Sequence, residues 1–137
     1  MALLASLALA GSASACSCAP LTAKSVKKAD AAAVMRLDEV DETGGGSYDE
    51  GSGKAAFTYT VGKVVSGKKL DKGDSVTIES NTSSAACGLP KREGKRYGLV
   101  LKRRRNGEWT SNLCSSTTPR QLQKLADGKR SARSLCR

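Results

Sequence analysis

The sequence has no histidine among its 137 residues. Histidine is the commonest general base at neutral pH, the usual partner of a serine or cysteine nucleophile, and a frequent zinc ligand. Its absence excludes those mechanisms. The acidic residues do not replace it, because four of them fall in the Gly-rich segment 41–54, which is typical of a flexible loop. We therefore expect a binding protein, and neither an enzyme nor a protein that needs a cofactor.

Aromatic residues and negative charge are also scarce. One tryptophan, three tyrosines and one phenylalanine make a poor stacking platform for single-stranded nucleic acid, so nucleic acid is not the favoured partner. Lysine and arginine number 23 against 13 aspartate and glutamate, which gives a net charge of +10. This excess indicates partners that are acidic, at least near the contact.

Residues 1–15 carry no charge and form an apolar run of leucine and alanine. The run ends in Ala13, Ser14 and Ala15, which match the small-residue rule for signal-peptide cleavage, and it is too short for a transmembrane helix. We therefore expect a secreted, extracellular protein whose single domain, residues 16–137, starts at Cys16. The basic residues with which a signal peptide usually starts are missing directly after Met1, so a start codon further upstream stays open.

A second kind of processing also fits this junction. A cysteine directly after Ser14 and Ala15 suits bacterial lipoprotein maturation, in which the Cys16 sulfur is lipidated and the protein is anchored at the cell surface. Ala13 stands where such a signal would have leucine. Only in this alternative is a membrane a partner, and it leaves four other cysteines, an even number.

The chain has five cysteines, and in an exported domain of this size cysteines are normally paired. Cys16 and Cys18 point to opposite faces of an extended segment, so two separate long-range bonds are favoured over a bond between them. Such bonds would clamp the mature N-terminus onto two parts of the fold. The odd number leaves one cysteine over among Cys16, Cys18, Cys87, Cys114 and Cys136.

Hydrophobic patterning predicts a small β protein. Alternating β-branched and aromatic residues, separated by turn-forming residues, predict strands over 34–40, 56–65, 75–80, 96–102 and 108–114. Asn106 and Gly107 predict a type I′ turn before the last strand. The Ala- and Lys-rich segment 21–33 predicts a helix capped by Thr22 or Ser25, and Pro119 begins a second one over 120–126. Five strands and two small helices indicate a Greek-key barrel or sandwich.

The cysteine motifs carry a more specific resemblance. The mature chain begins with Cys-x-Cys, a small residue and proline; Cys87 is followed by glycine; and Gly-x-Trp precedes Cys114. With these motifs and the segments 57–67 and 94–101, the chain resembles the tissue inhibitors of metalloproteinases over nearly all of residues 16–137. The resemblance implies their netrin-like domain, a mainly β, OB-fold-like, five-stranded Greek-key barrel with one or two short flanking helices.

The resemblance also implies a disulfide pattern and a protease-contacting site. It pairs Cys16 with Cys87 and Cys18 with Cys114. The amine and carbonyl of Cys16 would bind the catalytic zinc of a target metalloprotease, and Ser17 would enter the main specificity pocket. The remaining contacts would come from Cys18, Ala19, Pro20, Ala85 and Ala86.

One departure from the family pattern concerns Cys136. It falls where the family closes a third disulfide, but the stretch that should hold its partner contains Lys27, Lys28 and Ala29 instead.

The chemistry of zinc supports this role for an N-terminal amine. An α-amino nitrogen and the carbonyl oxygen of the same residue form a five-membered chelate, and a protease's catalytic zinc keeps an open position where it binds water. The amine must lose a proton, which costs little because its reference pKa is about 7.7 to 8.0. The metal belongs to the target.

A purely structural role of the disulfides and a different binding function both stay open. The disulfides alone would stabilise a small core, by roughly 2 to 4 kcal/mol each. Netrin-like domains also serve as binding modules that inhibit nothing, so a secreted or lipid-anchored module for anionic polymers is the alternative. Its basic surface would comprise residues 102–105 and the tail residues Lys124, Lys129, Arg130, Arg133 and Arg137.

Overall fold

The computed structural model describes residues 16–42 and 53–128. The predicted signal peptide, most of the Gly-rich segment 41–54, and the tail that contains Cys136 lie outside these residues. Among the residues described, no helix combines the length and apolar character needed to cross a membrane.

The described chain is an antiparallel sheet that curls into a nearly closed barrel. The sheet order is β3-β2-β1-β4-β5, β6 pairs with β4, and β3 approaches β5 to close the ring. The prediction of a mainly β, OB-like barrel is confirmed, with a short sixth strand added. The elements are α1 (Ala23–Lys28), β1 (Ala31–Asp41), β2 (Lys54–Ser66), β3 (Ser75–Asn81), β4 (Arg96–Arg103), β5 (Trp109–Thr110), β6 (Ser116–Thr117) and α2 (Pro119–Ala126), with 3-10 turns at Ser84–Ala86 and Leu113–Ser115.

Two apolar clusters hold this barrel together. Alternate residues of β2 and β3 point inward, as their alternating burial shows, and meet side chains from β1 and β4. On the outer face of β1 and β4, α2 packs with α1 over a second cluster. Three register irregularities along β1 let this central strand bend around the barrel. The largest fully buried apolar side chains are Tyr59, Phe57, Met35, Leu37, Ile78, Leu99, Leu101, Leu122 and Leu125.

The helix predicted over 21–33 is wrong in its second half. Thr22 caps α1 as expected, accepting a hydrogen bond from the backbone N–H of Ser25 at 3.1 Å, but the helix ends at Lys28. The alanines 31–33 lie in β1, fully buried between β2 and β4. Their helix propensity is overridden because the strand buries all three in the two apolar clusters that cover its faces.

The last predicted strand and its turn also differ. Only Trp109–Thr110 of the segment 108–114 pairs with β4. Gly107 has φ +87°, but no other residue of this loop has positive φ, whereas a type I′ turn needs two. The backbone N–H of Gly107 donates to the carbonyl of Arg104 at 3.0 Å, which is the pattern of a three-residue loop ending in a left-handed glycine. The second helix and its N-terminal Pro119 are confirmed.

Two buried tyrosines differ in how their hydroxyls are satisfied. The Tyr59 hydroxyl is buried and has no hydrogen-bond partner among the described residues. Burial raises the pKa of Tyr59, and the nearby Tyr97 adds to the effect. Burial also raises the pKa of Tyr97, but there the backbone of Arg92 hydrogen-bonds the phenol and opposes the rise. An unsatisfied buried hydroxyl costs free energy, so Tyr59 is a weak point of the core.

We expect Tyr59→Phe to leave the free energy of unfolding unchanged or to raise it by up to about 1 kcal/mol, because it removes an unpaired hydroxyl. Tyr97→Phe is the matched control, and it should lower stability by about 0.5 to 1.5 kcal/mol because it breaks a hydrogen bond. Urea unfolding of the two variants and the parent protein measures both effects.

The same pair of variants tests the pH dependence. In the unfolded chain Tyr59 ionises near its ordinary pKa of 10.0, whereas the fold keeps it protonated. The stability of the parent protein should therefore fall as the pH rises above about 10, and the advantage of Tyr59→Phe should widen between pH about 7 and about 11. A Tyr59→Phe protein less stable than Tyr97→Phe would show that the Tyr59 hydroxyl has a partner.

Candidate functional site

The N-terminal segment 16–20 has no regular secondary structure and is held by two disulfides. Cys16 is bonded to Cys87, with Cα atoms 5.2 Å apart, and Cys18 is bonded to Cys114, with Cα atoms 5.1 Å apart. This is the pairing that the family resemblance implies. The bonds attach three consecutive residues to two different parts of the barrel, so the segment cannot leave its surface as a single-tethered terminus would.

The two disulfides pack directly against each other. The Cys16 sulfur lies 3.6 Å from the Cys114 sulfur and 3.9 Å from the Cys18 sulfur, and the sulfurs of Cys87 and Cys114 are 3.9 Å apart. The backbone supports the same arrangement, since the N–H of Leu113 donates to the carbonyl of Cys87 at 3.0 Å. The four sulfurs therefore form one compact cluster, which we call the sulfur cluster.

A sharp corner of the chain presents Cys87 to the N-terminus. Cys87 ends the 3-10 turn Ser84–Ala86 with φ +59°, the only positive φ of a non-glycine residue in the described ranges. Gly88 follows, and a Cβ there would lie 2.1 Å from the carbonyl oxygen of Asn81 and 2.7 Å from that of Ser83. The glycine after Cys87 therefore has a steric reason, because the corner folds back onto the end of β3.

The disulfide from Cys16 places the N-terminal segment beside the turn Ser84–Ala86. We call residues 16–20 and 84–86 together the N-terminal ridge. Ser17, Ala19, Pro20 and Ala86 are exposed, Cys16 and Cys18 are half-buried, and the backbone of Ala85 lies in the turn. The ridge contains no charged residue, although the chain has a net charge of +10. The two segments that contain the predicted contact residues thus lie near each other, and four of those residues are exposed.

Sequence reasoning missed the residues that shape this surface from below. The Asn81 side-chain N–H donates to the carbonyl of Ala86 at 3.0 Å and holds the turn against β3. The backbone N–H of Leu89 donates to the buried Ser80 hydroxyl at 3.0 Å, just past the corner. Polar residues at a strand end are so common that no sequence signal marks these two.

Basic residues gather elsewhere, at one end of the barrel. The carboxylate of Asp30 accepts from the backbone N–H of Arg103 at 2.7 Å, and the backbone N–H of Asp30 donates to Leu101 at 3.1 Å, so α1 ends beside the end of β4. Gly67 touches the same place, since a Cβ on it would lie 2.4 Å from the carbonyl oxygen of Asp30. Eight exposed cations flank these contacts and form what we call the basic end: Lys27, Lys28, Lys68, Lys69, Lys102, Arg103, Arg104 and Arg105.

The remaining basic residues predicted for a polymer-binding surface are divided. Lys124 lies exposed in the last turn of α2, and the tail residues after it lie outside the described part of the chain.

We expect Gly88→Ala to destabilise the protein by about 1 to 3 kcal/mol, because the added Cβ must push two backbone carbonyls aside. Ser84→Ala, an exposed change in the same turn, is the control and should stay within about 0.5 kcal/mol of the parent protein. Thermal unfolding with both disulfides intact measures the difference. Equal melting temperatures for Gly88→Ala and the parent would mean that the corner yields easily and does not fix the ridge.

Comparison with models of known protein families gives no match for this chain, and no curated protein sequence matches it significantly. Membership of the metalloproteinase-inhibitor family therefore stays a prediction from the cysteine motifs. The disulfide pairing, the ridge and the barrel do not depend on that prediction.

Proposed function

We propose that the protein is a secreted inhibitor of zinc metalloendopeptidases. The observation that carries the proposal is the N-terminal ridge, in which residues 16–20, without regular secondary structure, are fixed to the barrel by two adjacent disulfides. A segment of this kind can lie along a protease cleft as a substrate does. Because it is held in place before binding, it loses little conformational entropy in the complex.

The inhibitory step depends on the α-amino group that signal cleavage after Ala15 creates. The nitrogen and carbonyl oxygen of Cys16 would chelate the target's zinc and displace its catalytic water. Ser17, which is exposed, would enter the main specificity pocket, and Ala19 and Pro20 would continue along the cleft. The turn Ser84–Ala86 would add a second contact strip beside the first.

The distribution of charge also supports this role. A chelate and a strip of small uncharged residues need no ion pair with the target. The basic residues of the basic end belong to other segments of the chain, so affinity for the protease cleft should depend weakly on salt.

We expect blocking of the Cys16 amine to abolish inhibition. The mature protein is compared with an N-acetylated form and with a form extended by one alanine, against a panel of zinc metalloendopeptidases. Each modification should raise the inhibition constant at least about a hundredfold, or about 2.7 kcal/mol, because the chelate is lost while both disulfides remain. Changing the salt concentration about tenfold should alter inhibition far less.

Intact mass and N-terminal sequencing of the exported protein, before and after reduction, show whether the Cys16 amine on which this test depends is present. They should give an unmodified Cys16 as the first residue. A diacylglyceryl mass on Cys16, equal inhibition by the extended form, or no inhibition across the panel would each argue against the proposal.

A second candidate function rests on the basic end, which would bind an anionic polymer. The hydrogen bonds of Asp30 and the contact with Gly67 bring basic residues from three separate segments together. Two nearby carboxylates, that of Asp30 among these contacts and that of Glu108 3.9 Å from Arg104, are outnumbered by the eight cations of the basic end. A densely charged polyanion would gain by releasing its counterions to such a surface.

Replacing Arg104 and Arg105 by alanine should weaken binding to an immobilised sulfated polysaccharide and reduce the slope of log affinity against log salt by about 2. The matched control replaces Arg92 and Lys95, which precede the opposite end of β4, and should leave the slope nearly unchanged. Protease inhibition should be the same in both variants. Equal losses in the two pairs would indicate that net charge alone, and no particular surface, binds the polymer.

A further inference from the structure

The sulfur cluster gathers four potential metal ligands in a small volume. The sulfurs of Cys16, Cys18 and Cys114 all lie within 4.8 Å of one another, and the Cys87 sulfur is bonded to the first and 3.9 Å from the last. Three sulfur–sulfur separations between the two disulfides are 3.6, 3.9 and 3.9 Å. In a tetrahedral site with zinc–sulfur bonds of about 2.3 Å, neighbouring sulfurs are about 3.8 Å apart. Three separations in the oxidised cluster are therefore close to the length of a tetrahedral edge.

We propose that reduction of the two disulfides converts the sulfur cluster into a four-cysteine site for Zn²⁺ or a similar thiophilic cation. Each disulfide takes two electrons and two protons from one dithiol reductant, which leaves as a cyclic disulfide. The four resulting thiols then bind one Zn²⁺ and release four protons. To reach a tetrahedron, each former disulfide must open to the length of a tetrahedral edge and the two pairs of sulfurs must move closer together.

Contacts that involve no sulfur also position two of the four ligands. The Cys87 carbonyl accepts a hydrogen bond from the backbone N–H of Leu113, and Gly88 allows the corner to fold closely onto β3. Beside Cys114, the Asn112 side chain accepts from the backbone N–H of Ser115 at 3.2 Å and caps the turn Leu113–Ser115. Cys16 and Cys18 lie on the short N-terminal segment, which can adjust around the ion.

Charge favours the same ion. Four thiolates and one Zn²⁺ carry a net charge of −2, and a chain with a net charge of +10 accepts that charge readily. This metal is distinct from the zinc of a target protease, and the inference does not depend on the proposed inhibition. The oxidised and metal-bound states exclude each other, so the cluster would be a site controlled by redox conditions.

The test is a Co²⁺ titration of the mature chain carrying Cys136→Ser, done once on the oxidised protein and once after anaerobic reduction. The reductant is a trialkylphosphine, which becomes a phosphine oxide with oxygen taken from water. The reduced protein should bind one Co²⁺ with the charge-transfer and visible absorption of tetrahedral thiolate cobalt, and Zn²⁺ should bleach it. The oxidised protein should show neither band. Zn²⁺ should also raise the melting temperature of the reduced protein.

A matched variant identifies the ligands. Adding Cys87→Ser should weaken Co²⁺ binding at least about tenfold, since loss of even an outer-shell partner of a metal site costs that much. Ser17→Ala, which leaves every sulfur in place, should titrate as the parent does. Circular dichroism and Trp109 fluorescence of the zinc-loaded reduced protein should match those of the oxidised one. Metal uptake by an unfolded reduced chain, or equal uptake by Cys87→Ser, would overturn the proposal.

Discussion

Two adjacent disulfides between the N-terminal segment and the barrel are the constraint on which the candidate site depends. They close loops of 71 and 96 residues, which corresponds to about 4 to 5 kcal/mol of stabilisation each in the chain-entropy model. Their larger effect is local. Residues 16–20 make no strand or helix of their own, and the two disulfides hold them against the barrel. The same bonds that stabilise the fold therefore turn an irregular segment into a defined surface.

The barrel makes this surface possible by satisfying its own packing elsewhere. Its interior is filled from β1 to β4, and the helices cover the outer face of β1 and β4. No residue of the ridge belongs to either apolar cluster, and the ridge carries no charged side chain. The basic residues are gathered on other segments, where Asp30 joins α1 to β4. A neutral contact surface and a cationic end can coexist because different parts of the chain supply them.

Local pattern predicted much of the fold and failed where distant residues decide. The alternation of apolar and polar residues predicts the bounds of β2, β3 and β4 to within a few residues, and Thr22 and Pro119 mark the helix starts correctly. Local propensity favours a helix at alanines 31–33, because it contains no information about the distant strands that bury them. For the site, the cysteine motifs indicated which residues gather. They could not reveal the contact between the two disulfides or the carbonyls that exclude a Cβ from Gly88, since both join segments far apart in sequence.

The sulfur cluster takes part in both the proposed protease inhibition and the proposed metal binding, and neither proposal depends on the other. A zinc-chelating amine needs an N-terminus that is fixed in direction, and a disulfide network provides that rigidity under oxidising conditions. Reduction removes the covalent clamp, but the corner at Cys87 and the turn at Cys114 are also held by hydrogen bonds that involve no sulfur. A thiophilic ion bound there would restore the tether with a different geometry at Cys16. The chemistry of one cluster would then decide whether the ridge is presented to a protease or withdrawn around a metal.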